Sequence, residues 1–375
     1  MERYRPPIGT SIRALDTPCL LLDLDALESN YRTVAQAYGG AGVKMRQHAK
    51  NLKTPILAQL QMRAGGTVGG ICTAKVAEAE VMIEGGIQDV LITSQIATRD
   101  KLARLCGLAH RATVAVAVDD PRNLRDLAEV ASELGVTVGV VIEVNTSMGR
   151  AGIRNHERAV AIARLASDLP GVVFRGVMSH QTLPGRPDRG TRFREGTRFL
   201  EQCLAAKKAI EAAGIPVPVV STGETWTYDV AAMVPGVTEV QGGTYALMGT
   251  NYTYMEDFRI AAKVLASVVS RPDGQTAIGD VGVRALAGPG GVLPSLEWPP
   301  PWGGPAATAR PEVVALGANH IVLRYDGMMP LGLGDQFLLI SAQQDMLVNR
   351  WDQFIAVRHG KVEAVFEITA RGCHH

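Results

Sequence analysis

The most informative cluster of reactive side chains lies in the segment VKMRQHAK, residues 43–50. In an extended strand, successive side chains point to opposite faces. One face would then be basic throughout, formed by Lys44, Arg46, His48 and Lys50. A lysine buried among cations loses its proton easily, and its neutral amine is the nucleophile that forms a Schiff base with an aldehyde. A solvated edge strand is the alternative, and periodicity alone favours it.

Arg150 is a second candidate, because it lies between Gly149 and Gly152 directly after the predicted strand at residues 138–145. The carboxyl ends of barrel strands hold the active site. An arginine placed there donates hydrogen bonds without ever losing its proton. An ordinary loop arginine is the alternative.

Two glycine-bearing turns follow strands near the end of the alternating region. Such turns present backbone N–H groups and hydroxyls to a phosphate. One turn alone is weak support, but two in succession indicate a phosphorylated cofactor. Their residues are Ser221, Gly223, Glu224 and Thr225 in the first turn, and Gln241, Gly243 and Tyr245 in the second.

These residues must be positioned by an α/β framework, because short apolar runs alternate with helical stretches from about residue 19 to 255. This order predicts parallel βαβ units and a TIM-like (β/α)8 barrel. There are nine candidate strands for a barrel of eight, so we expect one of them to lie outside the closed ring. An open, doubly wound sheet is the alternative fold. The candidates span residues 19–24, 43–48, 68–72, 89–93, 113–118, 138–145, 172–180, 217–221 and 239–241.

The pattern changes after about residue 258, where short strand-like runs are separated by turn residues. This pattern predicts a mostly antiparallel β domain. We therefore expect a barrel over residues 18–256 and a β-rich domain formed by residues 1–17 and 257–375. The Pro- and Gly-rich stretch at residues 288–305 is predicted to be an irregular loop.

Composition excludes several classes of function. The chain has 375 residues, with 38 Lys and Arg against 37 Asp and Glu, so its charge favours neither nucleic acid nor a membrane surface as partner. It contains no apolar run long enough to span a bilayer and no secretory leader. Five scattered cysteines without a CxxC pair indicate a reduced, cytoplasmic protein.

Together these segments resemble fold-type III pyridoxal 5'-phosphate (PLP) enzymes of the D-threonine aldolase and D-serine dehydratase family, relatives of alanine racemase. The resemblance covers nearly the whole chain in the family's order. Its most specific element is Arg46-x-His48-x-Lys50. The other matching stretches are Asp16-Thr17-Pro18, Leu22-Asp23-Leu24-Asp25-Ala26-Leu27, Lys53, Thr73-Ala74, Glu78-Ala79, Gly149-Arg150-x-Gly152, Ser221-x-Gly223-x-Thr225, Glu239-x-Gln241-x-Gly243-x-Tyr245 and Asp280-x-Gly282.

The resemblance implies roles for these residues. Lys50 would bind PLP covalently and later move a proton, Arg150 would face the pyridine nitrogen, and His48 and Arg46 would sit beside Lys50. His180 and His320 would be candidate acid–base groups. The remaining cofactor-binding residues, with the phosphate held by backbone groups, would be Ser221, Gly223, Glu224, Thr225, Gln241, Gly243 and Tyr245.

The family also places a divalent metal on a His-x-Cys or His-x-Asp pair in its C-terminal domain. Here the aligned residues are Gln343 and Asp345. A neutral amide oxygen is a poor ligand for a transition metal, although Mg²⁺ accepts it. We therefore expect a Mg²⁺ or Mn²⁺ site to be weak, altered or lost.

The resemblance implies a lyase that cleaves a β-hydroxy D-amino acid, such as D-threonine or 3-hydroxy-D-aspartate, to glycine and an aldehyde. Dehydration of D-serine or 3-hydroxyaspartate ranks second, because expelling hydroxide depends more on a Lewis acid. An amino-acid racemase and a catalytically silent PLP-binding protein are further alternatives. Family members pair, so we expect a homodimer with the active site near its interface.

Overall fold

The computed structural model describes residues 4–287, 292–303 and 309–375. The chain divides into two compact units. The barrel unit comprises residues 31–243 and 373–375, and the sheet unit comprises residues 1–30 and 244–372. The division at the N-terminal side falls inside helix α1, Leu24–Tyr38. The predicted limits of the barrel domain, 18 and 256, therefore differ from the observed ones by about a dozen residues at each end.

The barrel unit is built around a closed ring of parallel strands, as the alternating pattern predicts. Its strands are rich in Val, Ile and Ala, and the one at Val138–Glu143 is buried at every position. Continuous burial is expected of parallel strands that are covered on both faces. The strands are β2 (Lys44–His48), β3 (Thr67–Thr73), β4 (Asp89–Ile92), β5 (Thr113–Val118), β6 (Val138–Glu143), β7 (Val172–Ser179), β8 (Val219–Thr222) and β9 (Glu239–Val240).

Helices connect these strands, and the sequence supplies their starts. Asp120, Asn155 and Asp188 each precede a helix, and each side chain accepts a backbone N–H of the first turn. Such N-caps stabilise a helix by about 1 kcal/mol each. The helices of this unit after α1 are α2 (Pro55–Ala64), α3 (Val76–Glu84), α4 (Arg99–Leu108), α5 (Pro121–Glu133), α6 (His156–Asp168), α7 (Arg189–Ala212) and α8 (Tyr228–Ala231).

A layer of apolar side chains fills the barrel below the strand ends. Its members come from five successive strands, β3 to β7, and form one buried cluster. A filled layer of this kind makes the barrel a packed core and leaves the site above it. The cluster consists of Cys72, Leu91, Ala117, Val141 and Met178.

The sheet unit is mostly antiparallel, as predicted, and contains the strand that lies outside the barrel. That strand is β1, Cys19–Asp23, which runs antiparallel to β10 and parallel to β16. The pairing explains why the observed division of the chain lies after residue 18. The other strands are β10 (Ala262–Ser270), β11 (Thr276–Gly279), β12 (Ser295–Glu297), β13 (Glu312–Leu316), β14 (Ile321–Arg324), β15 (Gln336–Ile340), β16 (Gln353–Arg358) and β17 (Lys361–Glu367).

The predicted irregular loop at 288–305 is partly wrong. Strand β12 forms inside it and pairs with β15, with Leu296 opposite Leu339 and buried. Residues 288–291 and 304–305 lie outside the described residues. Beside α1, the sheet unit has one short α-helix among the described residues, α9 (Gln344–Val348). In the described ranges, no helix combines the length and apolarity that a bilayer span requires.

Candidate active site

Lys50 follows strand β2 in a short turn and does not continue the strand. Residues Ala49–Asn51 form a 3-10 helix, closed by hydrogen bonds from the N–H groups of Leu52 and Lys53 to the carbonyl of Ala49. The prediction of one extended basic face through Lys50 is therefore wrong, because the strand ends at His48. Lys44 also departs from that face, since its amine donates to the carbonyl of Tyr38 at the end of α1.

The turn after β9 packs against the turn that carries Lys50. The His48 N–H donates to the Gly242 carbonyl at 2.8 Å, and the Gln47 amide donates to the Gly243 carbonyl at 3.4 Å. A Cβ atom at Gly243 would lie 2.2 Å from Oδ1 of Asn51. Glycine at this position therefore permits the close approach of the two turns.

Lys50 lines a small pocket of about 70 Å³ at the carboxyl ends of the barrel strands. Two of the other lining side chains are Arg150 and Gln241, and no Asp or Glu lines this pocket among the residues that the structure describes. An electropositive pocket with an amine suits an anionic aldehyde. Strands β2 to β9 or the loops after them supply all the lining residues: His48, Lys50, Ala74, Thr93, Ser94, Arg150, Met178, His180 and Gln241.

Both ring nitrogens of His48 are engaged. Nδ1 accepts the backbone N–H of Lys50 at 3.3 Å, which leaves the ring proton on Nε2. Nε2 lies 3.3 Å from the hydroxyl of Thr93, and that hydroxyl donates to the Thr73 carbonyl at 3.1 Å. Burial, together with the charge of Lys50, lowers the pKa of His48 well below its ordinary value, so the ring is neutral at pH 7. His48 therefore fixes the turn of Lys50 as a neutral group.

His180 is the residue immediately after strand β7. Its carbonyl accepts the hydroxyl of Thr146, and its neighbour Gln181 donates to Thr222 at 2.7 Å, so the backbone is fixed. Its ring has no hydrogen-bond partner among the residues that the structure describes. Burial and the charges of Lys50 and Arg150 lower the pKa of His180 to about 3. His180 is therefore a neutral, unengaged base in the pocket wall.

A buried carboxylate lies near Arg150, whose side chain is 53% exposed. Its guanidinium lies 4.0 Å from Oε1 of Glu143, the last residue of β6, and Glu143 also accepts the amide of Gln95 at 2.6 Å. Desolvation raises the pKa of Glu143. The loop returns to β6 at Gly152, whose φ of +99° and N–H bond to Asp119 at 2.7 Å define the turn.

The two glycine-bearing turns lie side by side at the strand ends. Gln241 donates to the hydroxyl of Ser221 at 3.0 Å, which joins the turns after β8 and β9. Part of the predicted phosphate cradle is used internally: the N–H of Gly223 donates to Gln181, and that of Glu224 donates to Thr227. The expectation that these two amides face a phosphate is therefore not met. Thr225 is buried at the start of a 3-10 helix, Thr225–Thr227.

Arg46 lies away from the pocket, in a buried ion-pair network inside the barrel. It donates to both oxygens of Glu239 at 2.8 Å and to Asp89 at 3.0 and 3.2 Å. Burial opposes its charge, but the hydrogen bonds and charges of Glu239 and Asp89 raise the pKa of Arg46 overall. The donors of Arg46 are directed to two carboxylates, and Arg46 is not among the described residues that line the pocket. Its part in cofactor binding stays a prediction.

Four further predicted site residues belong to the sheet unit. Tyr245 is fully buried with its ring 5.7 Å from that of Phe258, and His320 is exposed between β13 and β14. Gln343 precedes α9, and Asp345 accepts the N–H of Met346 in its first turn. Across the described ranges, no three His, Cys, Asp or Glu side chains converge as a metal site would require. An amide beside one carboxylate does not fit a transition metal.

The sequence analysis did not predict the residues that contact or support the reactive side chains of the pocket. Thr93 contacts the His48 ring, Gln95 donates to Glu143 beside Arg150, and Gln181 joins β7 to the turn after β8. The available signal was position, since each of them lies within two residues of the end of a predicted strand. Lys53, another lysine of the matching stretches, is buried in an ion pair with Glu78 at 2.7 Å.

Comparisons with known proteins agree with this geometry. Residues 22–251 match the model of the alanine racemase N-terminal domain, and residues 261–357 match a serine dehydratase domain. The chain belongs to the alanine racemase N-terminal domain family. A 3-hydroxy-D-aspartate aldolase of Paracoccus denitrificans is 32% identical, over 97% of this chain and 94% of the relative.

Two other members of the family are informative. The crystal structure of D-threonine aldolase from Filomicrobium marinum superposes with a TM-score of 0.91 and 32% identity, over 99% of this chain and 100% of that chain. A D-threo-3-hydroxyaspartate dehydratase of Delftia sp. is 30% identical over 74% of each chain. The family therefore includes proteins named for both reactions that the sequence suggests.

Proposed function

We propose that this protein is a PLP-dependent lyase that cleaves a β-hydroxy D-amino acid to glycine and an aldehyde. The observation that carries this proposal is the position of Lys50, in a pocket with Arg150, two neutral histidines and no carboxylate. The relatives named as aldolases, which cover nearly the whole chain, support the same reaction class.

The residues of the pocket fit PLP. The Lys50 amine would hold the cofactor through its aldehyde carbon, and Arg150 would donate to the pyridine nitrogen. The always-charged guanidinium disfavours protonation of that nitrogen. The phosphate would lie at the turns of Ser221, Thr225 and Gly243. When bound, PLP supplies a π-system that accepts the electron pair of a bond broken at Cα.

The protein's own residues would bind and orient the substrate around that bond. His48 fixes the Lys50 turn, so the amine is delivered to one defined position. Glu143, which accepts from Gln95, places a buried carboxylate 4.0 Å from the half-exposed Arg150 guanidinium and so attracts that charge to this side of the pocket. Placement of reacting groups in this way removes much of the entropic cost of reaction.

The experiment is a product assay. The purified protein, loaded with PLP, is mixed with D-threonine or 3-hydroxy-D-aspartate, and glycine is measured against ammonia plus keto acid. Glycine with an equal amount of aldehyde is the expected result. The second candidate is a dehydratase, which the 30% identical Delftia relative favours. Keto acid as the main product would establish it, and neither product would indicate a silent PLP-binding protein.

A further inference from the structure

Retro-aldol cleavage needs a base for the β-hydroxyl proton, and the pocket offers few groups that can serve. Its titratable lining side chains are Lys50, Arg150, His48 and His180. Lys50 is assigned to the cofactor by the proposed function. Arg150 does not lose its proton under these conditions. The choice therefore lies between the two histidines.

Hydrogen bonding separates the two histidines. His48 has its Nδ1 on the Lys50 backbone N–H and its Nε2 on the Thr93 hydroxyl, so neither nitrogen has a free lone pair directed at a ligand. In the described part of the chain, the His180 ring has no such partners. A neutral imidazole with an unengaged nitrogen can accept a proton directly.

We propose that His180 is the general base that removes the β-hydroxyl proton of the substrate, an inference that rests on the proposed function. An imidazole nitrogen of His180 takes the proton, and the freed oxygen lone pair forms the second bond of the aldehyde carbonyl. The Cα–Cβ bond breaks, and its electron pair stays with Cα. Lys50 delivers a proton to Cα, and it regains one as His180 releases its own. No oxidant or reductant is needed.

The position of His180 supports this role. Strand β7 ends one residue before it, and carboxyl ends of barrel strands hold catalytic groups. Hydrogen bonds from Thr146 to its carbonyl and from Gln181 to Ser179 and Thr222 fix the backbone on both sides. The ring therefore projects into the pocket from a rigid support and needs no loop movement to reach it.

The test compares two reactions in the PLP-loaded protein. One is cleavage of D-threonine, which needs a hydroxyl base. The other is exchange of the glycine α-hydrogen in D₂O, followed by NMR, which needs no such base. For His180→Gln, we expect cleavage to fall by about 10²–10⁴-fold, as for loss of a general base. Exchange should change by less than about threefold, because Lys50 remains in place.

His156→Gln is the matched control, because His156 is exposed at the start of α6. It should leave both reactions unchanged. His180→Asn is the second variant if His180→Gln folds poorly, and it should show the same selective loss of cleavage. Cleavage retained in His180→Gln, or an equal loss of cleavage and exchange, would overturn the assignment. A wild-type protein that exchanges glycine but forms keto acid would instead overturn the proposed function.

Discussion

The two pocket histidines show how hydrogen bonds give identical side chains different chemistry. His48, the last residue of β2, is hydrogen-bonded at both ring nitrogens, one of them to the backbone N–H of Lys50. His180 has the same ring and a similar electrostatic environment, yet no partner within the described residues. Burial, together with nearby cations, keeps both rings neutral. A neutral ring leaves His180 a lone pair for a proton, whereas both nitrogens of His48 are already engaged.

Replacement of Lys50 tests the cofactor attachment directly. In Lys50→Ala, the visible absorbance band of lysine-bound PLP should disappear, because the nitrogen that forms the linkage is gone. Lys44→Ala is the control and should keep the band, since the Lys44 amine donates to the end of α1. Absorbance spectra of both reconstituted variants decide the matter. A normal band in Lys50→Ala would mean that another lysine holds the cofactor.

Acid should destabilise the protein through the same histidines. The folded-state pKa of His180 is about 3, below the ordinary value of 6.5, so between those values the unfolded chain binds more protons. Stability therefore rises with pH across this window and is lost as pH falls through it. The urea midpoint should drop from pH 7 to pH 5, and it should drop less in His180→Asn. Equal drops in the two proteins would contradict this origin.

Chelation should leave the proposed reaction intact. Gln343 presents a neutral amide where the resemblance calls for imidazole, and Asp345 accepts the N–H of Met346. We expect EDTA to change the rate of glycine formation by less than about twofold, because this donor set is poor for a transition metal. Activity lost on chelation and restored by one metal ion would show that other ligands complete a site.

At the scale of elements, the Arg46 network joins strands that are distant in sequence. Arg46 lies on β2, Glu239 on β9 and Asp89 on β4, and β2 and β9 are the pair that closes the ring. The network is buried, with 8% exposure of both the Arg46 and Glu239 side chains. A buried charge that loses its partner is costly. The network therefore specifies closure of the barrel below the site.

Glu239→Ala should destabilise the protein by about 3–5 kcal/mol, because Arg46 would keep its charge without its most buried partner. Asp89→Ala is the matched comparison, and it should cost about 1 kcal/mol because the Asp89 side chain is 35% exposed. Urea unfolding measures both. Equal effects would mean that burial of the partner does not set the cost.

At the scale of the whole molecule, the chain crosses between the two units more than once. The sheet unit takes residues from both sides of the barrel sequence, and residues 373–375 return to the barrel unit, where the Ala77 N–H donates to the His375 carbonyl. Strand β1 is therefore held by β10 and β16, which are more than 200 residues away. Such long-range pairing makes the sheet unit depend on completion of the chain.

We also expect a homodimer, as the family resemblance implies. Light scattering should give twice the 40.0 kDa mass of one chain at micromolar concentration. Activity per chain should fall on dilution if the partner completes the site. A strictly monomeric protein with full activity would contradict the prediction.

Local sequence patterns predicted the barrel and its strands, and residue types and spacing singled out candidate reactive residues near the strand ends. Period-two and period-3.6 patterns report local burial, so the nine strands were predicted close to their observed ends, including the surplus of one. The Arg46-x-His48-x-Lys50 element likewise singled out the Lys50 amine, because residue type and spacing are local properties, but it was predicted on a strand face and lies in a turn.

Contacts between distant segments set which predicted strand lies outside the barrel and which residues line the pocket. Membership of β1 depends on pairing with β10 and β16, and no local pattern encodes that choice. From the sequence, Arg46 was a candidate cofactor-binding residue, but in the structure its guanidinium donates to Glu239 and Asp89. His180 and His48 have the same side chain and differ in their hydrogen-bond partners. Hydrogen-bond partners are supplied by distant segments, and for that reason sequence spacing could not assign these roles.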